Sequence, residues 1–320
     1  MAVTGKTTLV GMRTPAVIPP NHRRTGGTLL KVAAATVAAG AATLAYASLV
    51  ERNMFTLRRF DVPVLAPDAE PLRVLHLSDL HMTDGQQRKQ DWVAALAGTD
   101  PDLVLVTGDN MGHPDGLNGV LRALQPLFDF PGAFVFGSND YTGPVWKNPL
   151  RYFQREREYV HGVDLPVDEL RDLFTSVGWA DLNNARATVT AGGRQIELAG
   201  VDDPHIGRDD WPAVAGPTSP DAAVRIALTH SPEPPLLDLM AADGFDLMLA
   251  GHTHGGQVCV PGVGALVTNC GLHRSMAKGL HRWPGSSSWL HVTAGIGTHP
   301  TAPVRFACRP EASVLTLIPR

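Results

Sequence analysis

Apolar residues along this chain fall in short runs, and five of those runs end alike. Leu72–Ser78 reads LRVLHLS, Asp102–Thr107 DLVLVT, Gly132–Phe136 GAFVF, Val224–Thr229 VRIALT and Gly244–Ala250 GFDLMLA. Runs this short, rich in Val, Leu and Phe, predict buried strands. Val167–Phe174 instead carries apolar residues at i, i+3 and i+7, the period of a surface helix. Ala187–Thr190 and Gln195–Leu198 flank Gly192-Gly193 as a hairpin. Near the N-terminus, Val32–Val50 holds no charged residue. The pattern is that of an α/β protein behind one apolar segment.

The residues at the strand tips point to the chemistry. The tips are Asp79-Leu80-His81, Gly108-Asp109-Asn110, Gly137-Ser138-Asn139-Asp140, His230 and Gly251-His252-Thr253-His254-Gly255-Gly256-Gln257. Asp and Asn favour turns for local backbone hydrogen bonds, but no turn requires histidine. Five strands that deliver O and N donors at their C-terminal ends, where open α/β sheets place ligand crevices, predict a metal centre. Asp79, His81, Asp109, Asn139, His230, His252 and His254 are too many ligands for one tetrahedral ion. Two ions fit better, bridged by one carboxylate. Asp109 is the expected bridge, because its strand is the middle one of the first three. Mixed N and O ligation suits Mn, Fe, Zn or Ni, and leaves the metal open among them.

This order of blocks resembles the calcineurin-like metallophosphoesterases, whose pattern is D-x-H, G-D-x-x-D, G-N-H-D/E, H and G-H-x-H. The resemblance spans about residues 70–320. The H-T-H-G-G-Q loop and the tail Val304-Arg305-Phe306-Ala307-Cys308-Arg309-Pro310-Glu311 resemble the subgroup of membrane-associated or exported bacterial phosphodiesterases typified by YkuE and YaeI. It implies a four-layer α-β-β-α sandwich. One metal would then sit on Asp79, His81, Asp109 and His254, the other on Asp109, Asn139, His230 and His252. Two positions depart from the family. Gly112 replaces the second aspartate of G-D-x-x-D, a loop position rather than a ligand. In Gly137-Ser138-Asn139-Asp140, a shift of one residue keeps Asn139 as ligand, since an amide oxygen ligates better than a serine hydroxyl. Asp140 then takes the place of the histidine that assists the leaving group, a role that needs a raised pKa.

Two bridged cations lower the pKa of a shared water and offset the charge of an in-line displacement. The expected reaction is hydrolysis of a phosphomonoester or phosphodiester by a metal-bridging hydroxide, with Asp109 and Asp140 as its catalytic carboxylates. No G-x-S-x-G elbow or activated thiol competes with that reading. The alternative is a membrane-tethered, non-catalytic metal-binding or scaffold protein whose site has eroded at Ser138 and Gly112.

Val32–Val50 has nearly the ~20 apolar residues that span a bilayer. Arg13, Arg23, Arg24 and Lys31 precede it, so the positive-inside rule places residues 1–31 in the cytoplasm and residues 56–320, one metallophosphoesterase domain, outside. Cleavage at Ala45-Tyr46-Ala47 would instead export the domain, and a buried Ala-rich core helix is the bland competitor. Arg23-Arg24 lacks the context of a twin-arginine signal. A tether beside the site favours a lipid-linked phosphoester by raising its local concentration. Formal net charge −4 and pI ≈ 6.3 provide no basic surface for nucleic acid, and no pattern sets an oligomeric state. Segment 141–165 reads as an irregular loop, either a cover over the site or a solvated, variable insertion. Asp202-Asp203-Pro204-His205 reads either as a substrate contact or as an ordinary turn, and His76 as a packed core histidine. Three cysteines without C-x-x-C allow one disulfide at most.

Overall fold

The computed structural model describes residues 1–5, 11, 25–145 and 162–320. Among them the chain forms two compact units, Met1–Thr43 and Leu44–Arg320. The first carries most of helix α1 (Thr25–Ala45), which continues through a wide turn, Tyr46–Val50, and a tight one, Glu51–Asn53. Thr28–Asn53 is thereby one apolar helical run long enough to cross a membrane. The second unit begins ahead of the expected residue 56, because the end of this run packs into it. Ala47 is buried and its carbonyl accepts the Arg305 N–H at 3.1 Å, while the Glu51 carboxylate accepts the Cys308 N–H at 2.7 Å.

Two six-stranded sheets face one another in the second unit. The first contains β1 (Thr56–Leu65), β2 (Leu72–Leu77), β3 (Leu103–Thr107), β4 (Gly132–Val135) and β5 (Ala180–Asp181). The second contains β6 (Ala185–Ala191), β7 (Arg194–Gly200), β8 (Val224–Leu228) and β9 (Leu247–Ala250). A small ribbon, β10 (Cys259–Val260) and β11 (Gly264–Ala265), interrupts the chain before β12 (Gly279–Arg282) and β13 (Trp289–Val292) complete the second sheet. Strand β14 (Glu311–Pro319) returns to the first. The orders are β1-β14-β2-β3-β4-β5 and β12-β13-β9-β8-β7-β6. Strands β2 to β5 run parallel, as do β7, β8, β9 and β13.

Alternation along the strands sorts the core into layers. Val74, Leu105 and Val135 meet Leu198, Ile226 and Leu249 between the sheets. Leu75, Val104 and Phe134 point the other way, onto α2 (Gln87–Ala94), α3 (Gly116–Leu124) and α5 (Val167–Ser176) through Val93, Val120 and Phe174. On the far side Ala227 and Met248 pack against α6 (Trp211–Val214) and α7 (Pro234–Ala242). This is the expected α-β-β-α sandwich. Its central strands read as unbroken apolar runs because helices cover one face and the partner sheet the other.

The helix predicted at Val167–Phe174 is α5, and the predicted hairpin is β6–β7. Gly192 and Gly193, at φ 52° and 72°, supply the two left-handed residues of its tight turn. Segment 141–165 is tied at its ends by the Thr142–Asp164 bridge and the Leu165 N–H on the Tyr141 carbonyl. Residues 146–161, where a cover over the site was expected, lie outside the described residues. His76 is a core histidine, its ring nitrogens 2.9 Å from His291 Nδ1 and 2.8 Å from Thr107 Oγ1. None of Cys259, Cys270 and Cys308 is in a disulfide.

Candidate metal centre

Parallel strands β2, β3 and β4 end on one edge of their sheet, and β8 and β9 on the same edge of the facing one. Each ligand sits in the loop just beyond. That loop bends at once: Asp79, His81, Asp109, His252 and His254 all have φ between 39° and 67°. This left-handed region is sparsely used outside glycine, and its concentration here marks backbone held under strain by its surroundings. The glycines beside the ligands leave no room for a side chain. A methyl on Gly251 would strike Ser78 and Asp79, and one on Gly137 the carboxylate of Asp109.

Two donor groups result, each with its ligand atoms within 4.8 Å of one another: Asp79, His81 and His254, and Asp79, Asp109 and His230. His254 Nε2 lies 3.2 Å from His81 Nε2 and 3.4 Å from Asp79 Oδ1. Asp109 Oδ2 is reached from both groups, at 3.5 Å from His81 Nε2 and 3.4 Å from His230 Nε2. Asn139 closes on the same carboxylate, with its backbone N–H 2.8 Å from Oδ1 and its amide 2.7 Å from Oδ2. Ser138 is buried in the first turn of α4 (Ser138–Tyr141). His252 lies beside these groups but outside both of them. Its N–H donates to Asp79, its Nε2 is 3.2 Å from the Asn269 carbonyl, and its ring meets that of His230 edge-on at 5.2 Å.

Burial and mutual charge shift the protonation of these groups. Burial, reinforced by the Asp109 charge and opposed by His230, pushes the Asp79 carboxyl up to about 6. Asp109 is buried too, yet the neighbouring His230 holds it well below the usual carboxylate range. His230 is correspondingly raised despite its own burial, chiefly by Asp109. The two side chains thus form a buried ion pair, Oδ2 to Nε2 3.4 Å, and a cation taken by both atoms would have to displace the shared proton. Burial lowers His81 to about 3 and depresses His254, so both imidazoles are neutral, with their Nε2 atoms 3.2 Å apart. Buried carboxylates and neutral imidazoles are the donor set that divalent metals take.

Neighbouring groups hold these ligands in place. The Arg305 guanidinium, fully buried, donates to the carbonyls of His254, Ala294, Gly295 and Gly297 at 2.5–3.1 Å. Lys89 of α2 donates to the carbonyls of Leu80 and His81. Thr107 accepts from His230 Nδ1 at 2.7 Å, leaving Nε2 toward the centre. Gly112 packs on the His81 backbone, where an added Cβ would lie 2.7 Å from its carbonyl oxygen; the loop has no space for the family's second aspartate.

Asp140 departs from its expected place. Its two oxygens accept the backbone N–H groups of Gly137, Asn110 and Met111 and the Asn110 amide, at 2.7–3.3 Å. Burial and the Asp109 charge push it up to about 7, but all its hydrogen bonds go to the loops that carry Asp109 and Asn139. Asp203 and His205, ambiguous in the sequence, are at the site. Asp203 is buried with Oδ2 unpartnered, Oδ1 accepts the His205 N–H, and the His205 ring lies 4.5 Å from that of His252. Asp202 belongs to a separate cluster with Tyr141 and Arg208. No sequence signal short of the fold could separate these neighbours.

A family profile described as Calcineurin-like phosphoesterase matches residues 72–256. Among curated proteins, the chain is 29% identical to Phosphodiesterase YaeI of Escherichia coli, covering 90% of this chain and 97% of that one. It is 26% identical to Uncharacterized metallophosphoesterase YkuE of Bacillus subtilis, over 88% and 93%. A zebrafish protein named Transmembrane protein with metallophosphoesterase domain is 26% identical over 80% of this chain and 56% of its own length.

Proposed function

Because the chain belongs to the calcineurin-like phosphoesterase family, we propose that it is a dinuclear metal-dependent phosphoester hydrolase, acting on diesters or monoesters at a membrane surface. The observation that carries this reading is Asp109 Oδ2, within 3.5 Å of an imidazole from each donor group. Asp79, His81, Asp109 and His254 would hold one divalent cation, and Asp109, Asn139, His230 and His252 the other, from among Mn, Fe, Zn or Ni. Bound there, the cations would supply an acidified water and Lewis-acid contacts for phosphoryl oxygens. The chain itself sets their separation through Asp109 and aims the ligands through Thr107, Lys89 and Arg305.

In this reading Asp140 positions the loops of Asp109 and Asn139 instead of donating a proton. Asp203, pushed up to about 7 chiefly by burial, is the buried carboxyl near His230 and Asp109 that can hold a proton for the departing oxygen. The resemblance to a named phosphodiesterase favours diesters. A retained apolar helix, with residues 1–31 cytoplasmic and the body outside, favours lipid-linked esters. Retention rather than export by cleavage is supported by Ala47, which is packed into the body.

The test is turnover by the full chain in detergent with Mn²⁺, against bis-p-nitrophenyl phosphate, p-nitrophenyl phosphate and lipid phosphoesters. Hydrolysis should be lost in EDTA and restored by metal, and metal should raise Tm, since a ligand that binds only the folded state stabilises it. Cations bound without turnover of any ester would replace this reading with the non-catalytic scaffold.

Asn139 and Ser138 decide the ligand at the third strand tip. Asn139→Ala should weaken one cation by about 10–100-fold or more and lower turnover, with partial rescue by added metal. Ser138→Ala should leave both nearly unchanged. Titrations in which Ser138→Ala strips metal while Asn139→Ala keeps it would reverse the assignment.

A further inference from the structure

Beyond His254 the chain runs from Gly255 to Leu272 without a charged residue, and it does so at the surface. The β10–β11 ribbon pairs Cys259 with Ala265 and Val260 with Gly264. Strand alternation gives it two sides. Cys259 and Ala265 face inward, in a small buried cluster with Ala277, Ala294 and Cys308. The outward residues are apolar as well: Val258, Val260, Val263 and Leu266 are 44%, 40%, 65% and 46% exposed. Single exposed apolar residues need no explanation, but four on one chargeless ribbon form a patch that water alone does not favour.

Its neighbours indicate what covers it. Val258 bridges to Phe306, and the Cys259 N–H donates to the Phe306 carbonyl. The adjacent Arg305 N–H donates to Ala47, in the segment by which the apolar run enters the body. That segment exposes Leu44, Tyr46, Leu49 and Val50. The strip Arg305–Phe306 therefore lies between two sets of exposed apolar side chains. One of them is the C-terminal end of the candidate membrane span itself, Thr28–Asn53.

We infer that the 258–266 ribbon is a membrane wedge: its valines and leucine enter the lipid surface beside the root of the N-terminal helix and set the metal centre against the headgroup layer. The inference rests on the membrane reading of that helix proposed above. An apolar surface element adjoining an anchor gains stability by lying in the interface. The ribbon is coupled to the site at both ends. It leaves the body four residues after His254, and it returns through Asn269, whose carbonyl meets His252 Nε2 at 3.2 Å. A phosphoester in a lipid headgroup would then reach the centre by lateral diffusion in the bilayer, without leaving the membrane.

Photolabelling from within the bilayer tests this. The full chain is reconstituted in vesicles of phosphatidylcholine and phosphatidylglycerol containing a phosphatidylcholine with a diazirine on its acyl chain, and adducts are mapped by mass spectrometry. Adducts are expected on α1 and on residues 258–266, and not on the Gly192-Gly193 turn. Val263→Asp with Leu266→Asp should cut the ribbon adducts by about tenfold or more while α1 keeps its own, since a carboxylate is costly in hydrocarbon. Adducts confined to α1 would overturn the wedge and leave the anchor standing. Absence of adducts from both would overturn the anchor reading and the wedge together. Ribbon-to-ribbon cross-links between two chains, without lipid adducts there, would assign the face to a second copy and also overturn the wedge.

Discussion

Replacing Asp109 with Ala should abolish phosphoester hydrolysis and loosen both cations at once. The carboxylate is buried, receives two hydrogen bonds from Asn139 and lies within 3.5 Å of an imidazole from each donor group. Asp79 also belongs to both donor groups, but its oxygens are engaged with the His252 N–H and His254 rather than set between His81 and His230. Removing groups that merely orient ligands costs 10–100-fold, so loss of a shared ligand should exceed a factor of about 100 in turnover. Asp109→Asn keeps the shape and controls for misfolding. It should retain the melting profile of the metal-free chain more closely than Asp109→Ala while failing equally in turnover. Two cations still bound by elemental analysis, with near-normal rates, would end the dinuclear assignment.

Arg305→Ala should be among the most destabilising single changes outside the ligands. Its guanidinium organises four carbonyls: that of His254 and three around the turn Ala294–Gly297. Gly295 of that turn, at φ 70°, packs so tightly on Asp79 that no Cβ would fit. One buried side chain thus holds together the loops of two ligands. Truncation leaves buried carbonyls unpaired and a cavity besides, on the order of 3–5 kcal/mol. The corresponding fall in Tm is roughly 5–15 °C, with weaker binding of the cation expected on His254. Arg305→Lys should recover only part of the loss, because one ammonium cannot copy the planar fork. A thermal scan unchanged by Arg305→Ala would show that the carbonyl cluster is held by something else.

Much of this is legible in the residues. Runs such as Leu103–Thr107 can be read as buried strands because covering both faces of a parallel sheet demands unbroken apolar sequence. The candidate ligands at the strand tips are legible because metal chemistry tolerates few residue types, and histidine has no reason to recur in turns. The surroundings of Asp140 are not legible from sequence, for the converse reason. A carboxylate beside a ligand looks the same whether it faces the centre or accepts N–H groups from Gly137, Asn110 and Met111, and only the tertiary hydrogen bonds separate the two. Asp203 and His205 lie more than twenty residues from any candidate ligand in sequence, and it is β7–β8 pairing that brings Asp203 near His230 and His205 to His252.

The elements, the inventory of candidate donors and the apolar segment follow from the residues alone. Those depend on local periodicity and on residue chemistry, and both are properties of short stretches of chain. Tertiary structure decided which donors meet. Asp109 and His230 are more than a hundred residues apart, and the register of two facing sheets sets their 3.4 Å separation. It also decided the left-handed backbone at Asp79, His81, Asp109, His252 and His254. No local preference would place five such residues together, and they persist there because the buried surroundings, Arg305 and the close-packed glycines among them, over-determine the loops.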